Sequence, residues 1–488
     1  MQTGRIVRQA AQPVVARSSS DAARVVRVSV GNFLEMYDFM VFGYYATAIG
    51  RAFFPTQSEY ASLMLALMTF GTGYLMRPLG AILLGAYIDR HGRRKGLLLT
   101  LGLMAVGTVS IACMPGYHTL GWLAPLLVVG GRLVQGLSAG VGIGGVSVYL
   151  AEIAPPRRKG FFVSWQSASQ QVAVIFAASL GILLASSLTP VQMMAWGWRI
   201  PLLVGCLLVP FLFVLQRSLE ETGDFLARKR RPERSEIWRT VAENWRLVIL
   251  GMLLSTTTTV TFYLITAYMP TYGSTVLHLS SRQSMIVTLC VGFSNFFWLP
   301  VMGSLSDRIG RRPLLMTFAS LALVTAYPAL AWMVGQPSFA RLLTVALWFS
   351  VIFGSYNGSM VVFLTEIMPA EVRASAFSLA YSLATGIFGG FTPAVSTYLI
   401  HRTGDPAMPG AWLAMASALG DCSFCCAKAS CPKSENSMPA SVSTPTMVPP
   451  NSIVLDRSCI MCHPLSMPIM PPVCQGVLRK SWNLPTEM

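Results

Sequence analysis

Four charged side chains stand inside apolar stretches of this sequence, and their spacing limits what they could do. In VGNFLEMYDF, Asn32, Glu35 and Asp38 recur every third residue, which puts all three on one side of a helix. Arg77 in LMRPLGA and Arg132 in GRLVQG lie within two further apolar runs. An ionisable residue within a membrane span is costly and faces a cavity or a partner. Two carboxylates sharing a buried face can load and release a proton near neutral pH, which is the chemistry of proton coupling. The alternative is a structural ion pair with a nearby arginine. Along the run Asp38 lies deeper and Glu35 nearer the cytoplasmic start.

Arg77 comes twelve residues before Asp89, so on a helix it sits about 18 Å further along, close to the middle of a bilayer. A guanidinium there needs a partner, and its planar fork takes a carboxylate at two points. Arg77, and Arg132 nearer the outer side, therefore either bind a substrate carboxylate or neutralise Glu35 or Asp38. Asn32 offers an amide on the same face. Gln166 and Gln170, one turn apart, can hydrogen-bond a polyanion without adding charge, or bond a neighbouring helix. The threonines Thr256 to Thr259 and Thr261, with Tyr263, Tyr356 and Asn357, are weaker candidates, since Thr often bonds its own backbone. Arg199 opens an apolar run and belongs at the outer interface.

The elements that must carry these residues are membrane helices. With 53% apolar and 11% charged side chains, a soluble fold of 488 residues would lack the charge to cover its surface. The apolar residues fall instead into runs long enough to cross a hydrocarbon core of about 30 Å. Six such runs are read near 29–50, 63–88, 97–114, 123–149, 161–186 and 199–216, and five more near 247–270, 284–305, 314–334, 341–364 and 375–400. Gly136, Gly140 and Gly144, four apart, suit close approach of a neighbouring helix.

The chain repeats itself. GAYIDRHGRRK from Gly85 to Lys95 returns as GSLSDRIGRRP from Gly303 to Pro313, and AEIAPPRRKG around Glu152 returns as TEIMPAEVRA around Glu366. Two similar halves in a membrane chain are the mark of a secondary transporter, with the substrate site where the halves meet. Basic residues crowd alternate loops, with 5 in the tail 1–28 and 8 in the linker 217–246, so both are expected on the cytoplasmic side. The net charge of +16 is thereby explained by orientation, and nucleic acid is not an expected partner. No cleavable leader is read before residue 28.

A twelfth run opens at Ala411 and meets Asp421, after which the composition turns to Ser, Pro, Met and seven of the ten cysteines. About ten apolar residues cannot span. The segment 421–488 is expected to be an aberrant, disordered tail, in keeping with a shifted reading frame after about Gly420. CIMCH and CSFCC within it resemble haem and zinc patterns, but such short matches arise readily in cysteine-rich tails. No cofactor and no metal is expected.

The two DR-x-GRR loops, the GRLVQG stretch and the repeat plan resemble the major facilitator superfamily. VGNFLEMYDF, LMRPLGA, SWQSASQQ and WGWRIP resemble its metabolite:proton symporter branch, and within it bacterial citrate–proton and tricarballylate–proton symporters. The likeness covers roughly residues 25–420. It implies an all-α fold of two six-helix halves, 29–216 and 247–420, with the twelfth helix disrupted. It also implies gating roles for Gly85, Asp89, Arg90, Gly92 and Arg93 and for Asp307, Arg308, Gly310 and Arg311. Asp89 would meet the N-terminus of the helix opening near Ser375, and Asp307 that near Phe161, where the helix dipole favours a carboxylate.

With no nucleotide-binding motif, the free energy must come from an ion gradient or from the substrate itself. The expectation is a proton symporter, not an enzyme, for a small di- or tricarboxylate in the bacterial inner membrane. It is expected to be a monomer whose only other partner is the lipid bilayer. A carrier of the same fold for a zwitterionic osmolyte or a shikimate-like acid, or a non-transporting receptor or remnant, are the alternatives.

Overall fold

The computed structural model describes residues 21–91, 93–140, 142–155, 157–217, 243–369 and 373–429. The N-terminal tail before 21, most of the linker and the segment with CIMCH lie outside them, as do Gly92 and the side chains of Asn32, Asp89, Arg90 and Arg93. Everything described is helix or short connection. The first half comprises α1 (Asp21–Tyr44), α2 (Ala46–Phe53), α3 (Glu59–Leu75), α4 (Arg77–His91), α5 (Arg93–Cys113), α6 (Tyr117–Leu120), α7 (Leu123–Ser138), α8 (Gly142–Ile153), α9 (Lys159–Ser187), α10 (Pro190–Gln192) and α11 (Arg199–Arg217). The second comprises α12 (Trp245–Phe262), α13 (Met269–Thr275), α14 (Ser281–Ile309), α15 (Arg311–Gly335), α16 (Phe339–Ile367), α17 (Arg373–Ala384), α18 (Thr392–Thr403) and α19 (Met408–Ala429).

Seven helices among the described residues are long and apolar enough to cross a membrane, and an eighth is counted if the pair bent by 44° around Trp198 is one span. Three shorter apolar helices accompany them. The runs read as single spans are often broken. The one expected over 123–149 divides into α7 and α8 around the glycine-rich SAGVGIGG, glycine being a weak helix former. Two spans of the second half carry a wide π turn, Tyr263–Tyr268 between α12 and α13 and Thr385–Gly389 between α17 and α18.

The helix opening near Ala411 does not stop at Gly420. It runs through Asp421 to Ala429. Thr257 Oγ1 donates to the Ala416 carbonyl at 3.1 Å, and Ser320 Oγ donates to the Asp421 carboxylate at 3.2 Å. Even so, α19 is not among the helices apolar enough to span. Residues through Phe424 form one compact unit, and of the second, from Cys425, the helical residues 425–429 are described.

Within the first unit the two halves meet along paired helices. Antiparallel α9 and α14 touch at Gly160 with Gly303, Ile175 with Gly292, and Gly181 with Met285. A methyl group at Gly160 would overlap the Gly303 carbonyl, so glycine at both positions sets the separation of the halves there. α3 meets α18 and its π turn through Tyr74 against Gly390 and Tyr60 stacked on His401 at 3.8 Å. α1 meets the second half at Gly43 and Ala267.

Candidate functional site

The site grows from α1, α4 and α7. The three-residue spacing of Glu35 and Asp38 gives α1 a carboxylate face among buried Tyr37, Phe39 and Met40. Arg77 begins α4 just past the bend at Met76, and Arg132 lies in mid-α7. Arg77 is 1% exposed, Arg132 0%, Asp38 1% and Glu35 7%, so four formal charges share a water-poor interior. Such charges must be paired.

They are. Arg77 Nη2 lies 2.8 Å from Glu35 Oε1, and Arg132 Nη1 lies 3.9 Å from Asp38 Oδ2. The second separation exceeds hydrogen-bond length, and Arg132 spends that nitrogen instead on Gln135 Oε1 at 2.9 Å. Gln135 in turn donates to Thr108 Oγ1 at 3.1 Å, tying α7 to α5. Neither Asp38 oxygen has a hydrogen-bond partner among the described residues, and neither do Arg77 Nε or Arg132 Nε and Nη2, while Arg77 Nη2 is spent on the Glu35 ion pair. Two cations and two anions thus lie together with hydrogen-bonding capacity left over.

Aromatic rings wall the cluster. Phe39 and Tyr74 face Arg77 at 4.8 and 4.6 Å from its guanidinium carbon, while Phe39 and Phe42 face Arg132 at 4.5 and 4.3 Å. Tyr263 of the second half closes on Tyr74 edge-on at 5.0 Å, so the cluster lies where the halves meet.

Other residues singled out in the sequence fall elsewhere. Gln166 and Gln170 are buried in α9, and neither makes a hydrogen bond or ion pair to Arg77 or Arg132 among the described residues. Gln166 accepts from Ser167 at 2.9 Å, with its Nε2 unpartnered. Thr256, Thr259 and Thr261 bond backbone carbonyls of their own helix, and Tyr356 donates to the Leu254 carbonyl at 2.9 Å. Asn357 is buried with Oδ1 unpartnered. Arg199 caps the Met114 and Ala195 carbonyls beside Trp198. Gly136 abuts the Gly73 carbonyl, Gly140 that of Arg77, and Gly144 meets Ser378 of α17.

The second repeat loop is held by Asp307. Its Oδ1 accepts the Gly160 N–H at 2.8 Å and its Oδ2 the Phe161 N–H at 3.0 Å, at the N-terminus of α9, where unpaired amides and the helix dipole favour a carboxylate. Arg311 bridges Asp307 at 2.7 Å and Glu366 at 3.2 Å. Gly310, with φ of +92°, makes the turn between α14 and α15, and Arg308 is exposed. In the first loop the backbone of Gly85, Asp89, Arg90 and Arg93 is helical.

Sequence reasoning passed over several residues that the structure brings into these contacts. Gln135 had a signal, since it stands one turn from Arg132 within GRLVQG. Phe39 and Tyr74, buried beside Asp38 and one turn before Arg77, read as ordinary core aromatics. Gln171 bonds Asn295 at 3.2 Å, and Ser350 donates to Asn295 at 2.6 Å, joining α9, α14 and α16 across the halves. Nothing local distinguished Gln171 from Gln170. No group of three or more metal-ligating side chains occurs among the described residues.

A helical membrane protein of two repeated halves, with a charged cluster buried where they meet, has the architecture of a secondary carrier. The chain belongs to the Major Facilitator Superfamily, whose family model matches residues 28–393. It is 57% identical to a citrate-proton symporter of Salmonella typhi over 408 residues, 84% of this chain and 94% of that one. It is 56% identical to a citrate-proton symporter of Klebsiella pneumoniae, over 85% of this chain and 94% of that one. A proline/betaine transporter of Salmonella typhimurium is 30% identical, over 81% of each chain. Among solved structures, a D-xylose-proton symporter shares the fold with a TM-score of 0.67 at 18% identity, covering 83% of this chain and 97% of that one.

Proposed function

We propose that this chain is a proton-coupled symporter that takes up a small di- or tricarboxylate, such as citrate or tricarballylate, by alternating access. The observation that carries the reading is the pairing of two buried guanidiniums with two carboxylates of one helix, at 2.8 and 3.9 Å. The 57% identity to a citrate-proton symporter supports the substrate class.

The chemistry is exchange of partners. A carboxyl group that takes a proton no longer neutralises its arginine, and the freed guanidinium then takes a substrate carboxylate at two points. A buried charge left alone costs several kcal/mol, at about 3–5 for a broken pair, so proton loading and substrate binding are driven to occur together. Asp38, the more loosely held carboxylate, is the first proton site and Glu35 the second. Arg77 and Arg132 are the substrate cations, and Asn32, Gln166 and Gln170 supply neutral hydrogen bonds. The halves 29–216 and 247–420 rock about the cluster. Gly85, Asp89, Arg90, Gly92 and Arg93, with Asp307, Arg308, Gly310 and Arg311, hold and release one face.

In this reading the protein is a monomeric carrier of the bacterial inner membrane rather than an enzyme. Residues 1–28 and 217–246 lie on the cytoplasmic side, while Asp421, on α19, is tied to Ser320 of the transport body. The test is uptake of labelled citrate into vesicles under an imposed pH gradient, with glycine betaine as competitor. Uptake that follows the gradient and ignores betaine is expected. Uptake blind to the gradient, or displaced by betaine, would overturn the reading.

A further inference from the structure

The ring of Phe39 packs against both buried arginines. It is fully buried, with the guanidinium carbon of Arg77 4.8 Å from its centre and that of Arg132 4.5 Å. Each cation has a second ring of its own, Tyr74 for Arg77 and Phe42 for Arg132. Room for the Phe39 ring is built in, because a methyl group at Gly73 would press on it at 3.3 Å. Two like charges in a low-dielectric interior repel. Attraction to one shared ring holds both within about 9 Å of each other against that repulsion.

Phe39 and Tyr74, with centres 4.4 Å apart, pack together against one side of Arg77. Rings of this kind leave the in-plane edge of a guanidinium, the edge that takes a carboxylate at two points, open to other partners. Arg132 keeps Nε and Nη2, and Arg77 keeps Nε, without a hydrogen-bond partner among the described residues, while Arg77 Nη2 faces Glu35 at 2.8 Å. Two carboxylate-binding edges, that of Arg77 opening when Glu35 takes a proton, thus pack on one phenyl ring.

Building on the carboxylate reading above, we propose that Phe39 is a specificity-determining positioning residue. It fixes the spacing of the Arg77 and Arg132 guanidiniums and so selects substrates by the distance between two of their carboxylates. Phe39 itself touches no charge on the substrate and acts through the arginines.

The test is a ladder of malonate, succinate, glutarate and adipate. Each is measured as a ligand stabilising the purified full-length protein against heat and as a competitor of citrate uptake in vesicles. The parent is expected to prefer one chain length at least tenfold over the poorest. Phe39→Leu and Phe39→Met, two replacements of comparable bulk so that either suffices, should compress that spread below threefold. Phe39→Tyr, which keeps the ring face, should retain it, and Phe42→Leu, which touches Arg132 alone, should weaken every member alike. A parent with no preference, or Leu and Met variants that keep the parent's order and spread, would overturn the inference. Heat stabilisation reads binding without transport, which separates the two failures. A Phe39-dependent ladder in a protein that takes up no citrate sinks the symport reading alone, and citrate uptake with a Phe39-independent ladder sinks this inference alone.

Discussion

Arg132 stands 3.9 Å from Asp38 while its nearer nitrogen contact, at 2.9 Å, is the amide of Gln135. The pair is close enough to feel each other's charge and too far apart to share a hydrogen bond. A neutral amide therefore anchors the arginine, so a change of charge on Asp38 would leave that hydrogen bond in place. Arg77 and Glu35, at 2.8 Å, are held more tightly.

Asp38→Asn is isosteric and permanently uncharged. Parent uptake should rise as the outside is made more acidic, since the proton is taken up with the substrate. In the variant, accumulation against a gradient should fall at least tenfold and lose its pH dependence, while exchange of internal for external citrate persists. Vesicle uptake between pH 5 and 8 checks this, and a variant with the parent's pH profile would move proton coupling away from Asp38.

Arg77→Ala strands Glu35 in a buried site, a loss of about 3–5 kcal/mol for a broken buried pair. The double replacement Arg77→Ala with Glu35→Ala removes both charges and should recover most of that stability without recovering uptake. Thermal unfolding in detergent separates the two effects. Equal instability of the single and double variants would show that Arg77 matters for packing beyond its charge.

Asp307→Asn removes the charge that meets the first amides of α9, at a cost of about 0.3–1 kcal/mol for a helix terminus and up to about 2 where partly buried. That is too little to unfold the protein and enough to shift a balance between two arrangements severalfold. Labelling of cysteines introduced along the α9–α14 seam should speed up on that face, and unchanged labelling would argue that the contact is not broken during transport.

Gly136→Val forces a side chain into the Gly73 carbonyl. Overpacking of this kind costs about 1–3 kcal/mol and would separate α7 from α3, carrying Arg132 away from Phe39 and Asp38. Both a lower unfolding temperature and a raised KM for citrate are expected, whereas Gly145→Ala, where a methyl group meets nothing within 4 Å, should leave both unchanged.

The sequence by itself determined the class of this protein, because apolar run length and charge scarcity answer to the thickness of a bilayer and leave no soluble alternative. It also displayed the repeat, and it singled out Glu35, Asp38, Arg77 and Arg132, since a charge inside an apolar run is conspicuous in one dimension. Which arginine takes which carboxylate was left open, for Arg77 and Arg132 lie 42 and 94 residues beyond Glu35 and Asp38 respectively, and helix packing alone decides which meet. Phe39 and Tyr74 were invisible for the opposite reason. An aromatic in a membrane helix is ordinary until a guanidinium is seen against its face. The continuation of α19 past Gly420 was likewise not legible in one dimension, as Ser320, 101 residues away, meets Asp421 with a hydrogen bond.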